Sequence, residues 1–381
     1  MDVRWIYTDD RDTEETAARR AVVSRIELFW QAFAANAPRF EDDDFDVAEF
    51  MRDHVDAVDP RLDWEIGPGR NGGKHRLVIT PADNLALRPF CDAFLARAPQ
   101  LDGWEFYHCR MPESADAARH AVEALTDHNL GRLKVAARVR AMNRVDLAFW
   151  LPDAPGDDVA MAQAELAAAH LLGEEAMGRW IGTIETHTDE PRDGVALEEL
   201  TGRVYNEVAG IDAALPDRPL VQMVDKLQWS LWRLSPPVKD DYAGHEDLIM
   251  GSSALDEMSA CAQLNAGFDS RRYSKVGETF CYLKFDGDGR KVAQRMDERK
   301  LLEPAVNRAL VDAGLGCVVG AGTGKRYSYL DIALTDVPRA SELLVPLAAR
   351  VGLSRRSWLL FHDTSLGHEW IGLYDDTPPP P

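Results

Sequence analysis

The sequence predicts an α+β protein of two related domains, each an antiparallel sheet covered by helices, and three observations carry that prediction. Segments in which apolar residues alternate with polar ones, the strand pattern, are interleaved with segments whose apolar residues recur at spacings of three and four, the helix pattern. One such arrangement occurs twice. Cys317-Val318-Val319-Gly320 leads through Gly322, Gly324 and Lys325 into Tyr327–Thr335, then a helical segment, then Trp358-Leu359-Leu360-Phe361-His362. Earlier in the chain Trp64-Glu65-Ile66-Gly67 leads through Gly69, Gly72, Gly73 and Lys74 into Leu77-Val78-Ile79-Thr80, a helical segment and Trp104-Glu105-Phe106-Tyr107-His108. The spacing is kept as well, since the intervals Thr80–Trp104 and Thr335–Trp358 differ by one residue. Strand, helix, hairpin, helix, strand is a split βαβ or ferredoxin-like plan, and its recurrence predicts an internal duplication.

The elements follow in order. Ile26, Phe29, Trp30 and Phe33 define the buried face of a helix over 12–35, and Val47, Phe50, Met51, His54 and Val55 that of a second helix opened by the carboxylates Glu41-Asp42-Asp43-Asp44. After the first hairpin, Leu87, Phe90, Cys91 and Phe94 mark a helix whose Pro89, like Pro346 in the second copy, predicts an irregular first turn or a restart. A helix over 114–125, two strands at 134–140 and 145–151, an alanine-rich helix over 159–172 and a closing strand at 180–185 have no full counterpart later. The strand at 370–375 closes the second half. Polar, turn-rich residues 189–194 predict the linker, so the domains are 1–188, with an extra hairpin and helix, and 195–375. A long loop over 235–253, the helices 254–266 and 293–313 and a strand at 279–285 complete the second half. The Pro-rich tail 376–381 is expected to be extended and outside the fold.

Composition restricts function more than it assigns it. The 381 residues are 45% apolar and contain ten Trp, as in an ordinary globular protein. No apolar run reaches membrane-spanning length and the first residues lack a secretory pattern, which predicts a cytoplasmic protein with no membrane partner. Five scattered cysteines offer neither a disulfide framework nor a C-x-x-C motif. The formal net charge of −21 argues against nucleic-acid binding, which needs a basic patch, and suits an encounter with a basic protein partner.

Several stretches invite chemical readings. Gly320-Ala321-Gly322-Thr323-Gly324-Lys325 fails as a phosphate loop, because Val319 stands where the first glycine belongs and Arg326 where Ser or Thr would ligate magnesium, so it reads as a hairpin loop. Asp286-Gly287-Asp288-Gly289 fails as a calcium loop at Arg290 and Lys291 and reads as a turn. Glu246-Asp247 reads as surface charge. His362, Asp363, His368 and Glu369 form the densest group of acid–base or ligand residues and are the candidate catalytic set. The two-residue period nevertheless places Trp358, Leu360 and His362 on one strand face, as it does Trp104, Phe106 and His108, which suits structural histidines at the edge of an apolar layer. In the strand 327–335, Ser328, Leu330, Ile332 and Leu334 face the core. Tyr327, Tyr329 and Asp331, with Lys325 at the turn, form an open face suited to a ligand or partner. No metal-ligand set meets a standard spacing, and no cofactor is expected.

At the glycine hairpin, the Leu77–Trp104 unit and the Trp358 strand the chain resembles bacterial proteins of unknown function, a resemblance that implies no catalytic residues. The expected function is a non-enzymatic binding or regulatory role, with an acidic surface that masks a basic protein partner as toxin-neutralising proteins do. The alternative is a metal-dependent hydrolase using the His362/His368 loop. A small-molecule binder working in a groove between the halves is a third reading.

Overall fold

The N-terminal helices form where the apolar spacing places them. Helix α1 (Thr13–Asn36) starts at Asp12, whose side chain accepts a hydrogen bond from the Glu15 amide at 2.9 Å, and buries Ile26, Phe29, Trp30 and Phe33. Helix α2 (Val47–Val58) is capped in the same way by Asp46. Strands β1 (Asp63–Pro68) and β2 (His75–Thr80) pair antiparallel, and helix α3 (Arg88–Leu95) returns the chain to β3 (Trp104–Tyr107), parallel to β2. Leu77 and Ile79 meet Phe90 and Phe94 beneath the aromatic face of α1. The indole of Trp30 donates to the Phe94 carbonyl at 3.0 Å, so its polar atom is satisfied in that core. Pro89 stands in the first turn of α3 behind a short 3-10 turn, an irregular start as its ring requires.

A second sheet follows. Helix α4 (Ala115–Thr126) is capped by Ser114, and β4 (Lys134–Arg140) and β5 (Arg144–Trp150) form a hairpin. Helix α5 (Asp157–Trp180) crosses back to β6 (Ile181–His187), parallel to β5. Val145, Leu147 and Phe149 share a core with Leu171 and with Ala164, Ala167 and Ala168, whose small side chains let α5 lie close on the sheet. The strand expected to close the first copy thus pairs with this hairpin and not with β3. Helix α6 (Leu200–Ala214) adds Leu200, Val204, Val208 and Ile211 to the same core. The core beneath this second sheet therefore reaches past the turn-rich residues 189–194, and the chain divides into two compact units, Met1–Ile211 and Asp212–Pro381. This is a computed structural model that describes residues 3–381 apart from 265 and 288.

The second unit is built on one seven-stranded, wholly antiparallel sheet. Its strands are β7 (Ser230–Arg233), β8 (Leu248–Ser253), β9 (Thr279–Asp286), β10 (Gly316–Gly324), β11 (Tyr327–Leu334), β12 (Ser357–Phe361) and β13 (Trp370–Gly372). Their spatial order is β13-β12-β9-β11-β10-β8-β7. Helix α7 (Asp256–Leu264) precedes β9, α8 (Val292–Ala313) joins β9 to β10, and α9 (Val337–Val351) joins β11 to β12. Leu302, Val306 and Leu310 are the buried stripe of α8. Unlike Pro89, Pro346 is carried inside a continuous α9, at the loss of one backbone hydrogen bond. Of the expected Asp286–Gly289 turn, Asp288 lies outside the described residues; Asp286 is a buried partner of Arg326 and Arg356.

Three expectations are corrected here. Gly320, Gly322 and Gly324 are not a hairpin loop: they lie within β10, and the turn is only Lys325-Arg326. The glycines are needed for room. A Cβ at Gly320 would run into the Asp331 carboxylate, at Gly322 into Leu248 and at Gly324 into the Asp247 carboxylate. Next, the face bearing Tyr327, Tyr329 and Asp331 is not open. Residues 234–247 cross it as a strap, and Tyr242, Leu248, Tyr282, Tyr327, Tyr329, Trp358 and Leu360 form an apolar cluster there. Finally, the tail packs back on the fold: the buried Trp358 indole donates to the Pro378 carbonyl at 2.6 Å.

Candidate metal centre

Asp331 projects from β11 onto the strapped face, opposite Tyr282 of the neighbouring β9. His362 follows the last residue of β12, and its amide donates to the Phe280 carbonyl at 3.0 Å, which fixes the backbone where the strand ends. His245 comes from the strap. The three side chains converge: the Nε2 atoms of His245 and His362 each lie 3.2 Å from Asp331 Oδ1. The two imidazoles stack, with ring centroids 5.3 Å apart. The side chains are 11%, 7% and 12% exposed for His245, His362 and Asp331, so the trio is nearly withdrawn from solvent. It opens onto a cavity of about 720 Å³ walled by Trp232, Met258, Phe268, Tyr282 and Phe361 and by the polar Ser235, Lys239 and Thr364.

The strap that supplies His245 is held at several points. Asp247, fully buried, accepts from the amides of Arg326 and Tyr327 at 2.6 and 2.8 Å and from the Tyr329 hydroxyl. It caps the β10–β11 turn, and is not surface charge as expected. Asp241 accepts from the Tyr327 hydroxyl at 2.5 Å and from Arg356 at 2.8 Å. The Tyr242 carbonyl accepts from Lys284 Nζ, itself 4.2 Å from the Tyr327 ring centroid. These groups fasten the strap to the sheet, and the Asp286 pairs with Arg326 and Arg356 hold in place the two arginines that Asp241 meets.

Electrostatics fit an ionised Asp331 carboxylate beside a neutral His245 ring. Burial pushes the Asp331 pKa up, but the hydrogen bonds to His245 and His362 outweigh it and hold the carboxyl well below the usual range. Burial lowers the His245 pKa against the opposing pull of Asp331, which favours the neutral imidazole that ligates metals. Burial also brings Lys284 down to about 8. Among the described residues, this trio is the set of three or more His, Cys, Asp or Glu side chains whose ligand atoms converge, all within 4.8 Å of one another. Two imidazole nitrogens and one carboxylate oxygen are a donor set for a divalent transition metal, with further coordination positions left for water or substrate.

The residues singled out from sequence are distributed unevenly around this centre. His362 and Asp331 belong to it. Tyr329 flanks it, its ring 4.6 Å from that of His245, while Tyr327 serves the strap. Lys325 lies in the turn, its amide donating to the Asp247 carbonyl at 2.9 Å, and does not line the cavity. Asp363 is committed to structure: it accepts from the Ser270 amide at 2.6 Å and the Ser270 hydroxyl at 2.5 Å, and burial raises its pKa. His368 and the buried Glu369 are not in the converging set. His245 was hidden in the long loop, and the only sequence signal for it was the length of that loop.

Compared with known proteins, the chain matches no protein family, no curated protein and no solved structure. Among the described residues, no helix is long and apolar enough to cross a membrane.

Proposed function

We propose that the second unit is a metal-dependent hydrolase that holds a divalent transition metal through His245 Nε2, His362 Nε2 and Asp331 Oδ1. The observation that carries this reading is the convergence of those three atoms beside a cavity large enough for a small organic molecule. Such an ion supplies Lewis acidity and brings the pKa of a bound water toward neutrality. The chain's part is to fix the donors from two rigid strands and a fastened strap, and to shield the site with aromatic walls. Elemental analysis and Co²⁺ titration of the full chain test the reading. Stoichiometric metal is expected, with affinity falling by at least about 100-fold in His245→Ala and His362→Ala and unchanged in His368→Ala. Failure of Zn²⁺, Co²⁺, Fe²⁺, Mn²⁺ and Ni²⁺ alike to bind would end it.

The formal net charge of −21 supports a second reading, a binding protein that engages a basic partner through its acidic surface. Affinity capture from the native cell would then return a basic protein that is released by salt. At the level of fold, we read β9-α8-β10-β11-α9-β12, with its spatial order β12-β9-β11-β10, as a ferredoxin-like split βαβ unit. The recurrence of hairpin, helix and parallel strand in β1-β2-α3-β3 supports the duplication, with β9 standing between β11 and β12 in the second copy.

A further inference from the structure

Four tyrosines lie on the strapped face of the second sheet, and three of them commit their hydroxyls to the fold. Tyr242 donates to the Pro237 carbonyl at 3.2 Å and accepts from the Lys239 amide at 2.9 Å. Tyr327 donates to Asp241 and Tyr329 to Asp247. Tyr282 differs. Its ring packs beside the stacked pair of histidines, with centroids 4.1 Å from His245 and 4.9 Å from His362, and its residue lines the cavity. Among the described residues its hydroxyl has no hydrogen-bond partner. That hydroxyl lies beside the strap backbone, 3.8 Å from where a Cβ on Gly244 would stand. Trp232 lines the same cavity, and its indole nitrogen is buried without an acceptor among the described residues. A buried donor with no protein acceptor, as the Trp232 indole is, is destabilising unless a ligand or water completes it.

We infer that Tyr282 is a substrate-contacting residue, its hydroxyl donating a hydrogen bond to an oxygen of a carboxylate-like or acyl ligand bound at the His245–Asp331–His362 centre. The inference rests on the metal reading and deepens it by naming the ligand class. The two donors on the cavity wall select ligands that present oxygen acceptors. Tyr282 is placed to meet such an oxygen because β9 holds it opposite Asp331, while His245 and His362 pack beside its ring. Preorganised donors aimed at ligand oxygen are how a site stabilises developing negative charge.

The test uses the full chain loaded with Co²⁺, whose visible spectrum reports ligands entering the metal's coordination shell, and compares wild type with Tyr282→Phe. Two probes are titrated: acetate, which keeps a second oxygen to accept a hydrogen bond, and cyanide, which offers no oxygen. The expected result is unchanged Co²⁺ affinity and unchanged cyanide affinity in Tyr282→Phe, with acetate weakened about tenfold, the effect of losing a hydrogen bond to a charged group. Equal acetate affinity in both proteins overturns the inference, as does equal weakening of acetate and cyanide, which would mark Tyr282 as merely structural. Acetate that fails to perturb wild-type Co²⁺ protein overturns it while leaving the metal reading standing. A wild-type chain that takes up no Co²⁺ fails one step earlier, at the metal centre itself, and is recognised as such because no cobalt spectrum develops.

Discussion

At the scale of single residues, the centre depends on atoms that are missing as much as on those present. Asp331 can lie flat across β10 only because Gly320, its cross-strand neighbour, has no side chain. Gly320→Ala is therefore expected to cost about 1–3 kcal/mol by overpacking and to displace the carboxylate from the histidines. Urea denaturation gives the first quantity and Co²⁺ titration the second; an alanine variant with wild-type stability and metal affinity would contradict this account of the glycine. The same geometry explains a misreading. Gly-x-Gly-x-Gly ending in Lys resembles a loop when glycine is valued for positive φ, whereas here alternate glycines clear one face of a strand for Asp331, Leu248 and Asp247.

Among elements, the strap is the unusual one. It has no strand or helix between Leu234 and Asp247, yet it contributes one of the three converging side chains. Its order rests on side chains, Asp247 above all, whose carboxylate satisfies two amides and a hydroxyl at the β10–β11 turn. Asp247→Ala leaves those donors buried and unmatched, and a loss of roughly 3 kcal/mol or more is expected. Protease cleavage within 236–246 should accelerate in this variant and metal affinity should fall, while unaltered cleavage would show that the strap is held by its apolar contacts alone. Here the limits of the sequence become clear. The alternation that put Tyr327, Tyr329 and Asp331 on one face is local, so it could be read directly, and so could the buried stripes of α1, α3 and α8. His245 stands 86 positions from Asp331, and His362 stands 31 from it. No periodicity links residues so far apart, and the covering of that face by the strap is likewise a long-range packing result. Density of candidate ligands along the chain points to His368 and Asp363 beside His362, but adjacency in sequence does not bring side chains together in space, and the converging group takes only His362 from that run.

For the molecule as a whole, two compact units of different construction share one chain. The first unit is covered by helices over two three-stranded sheets, each made of a hairpin, a helix and a parallel strand; the second uses a single large antiparallel sheet. The buried charges of the second give its stability a characteristic pH dependence. Lys284 is fully buried, with a pKa of about 8 in the fold against an ordinary 10.5. Between those values the unfolded chain binds a proton that the folded chain has released, so stability rises with pH, by about 2 kcal/mol from roughly pH 7 to 9.5. Above roughly pH 10 the sign reverses, because burial raises the pKa of Tyr282, Tyr327 and Tyr329 and the unfolded chain gives up those protons first. Chemical denaturation across this range should show the rise in wild type and a flatter response in Lys284→Met. An equal rise in both would assign it to other groups.

On the proposed metal reading, the division of the three converging side chains between sheet and strap has a thermodynamic consequence. Asp331 comes from a hydrogen-bonded strand and His362 from the end of another, whereas His245 comes from a segment tied by backbone hydrogen bonds only at its two ends, through Leu234 and Asp247, and otherwise by side-chain contacts. Metal binding and strap ordering are therefore linked: whatever free energy an ion gains from His245 also opposes release of the strap. A chelator then acts on this protein as a local denaturant. Removing the ion should loosen residues 236–246, and the cavity they roof, while leaving the sheet beneath intact.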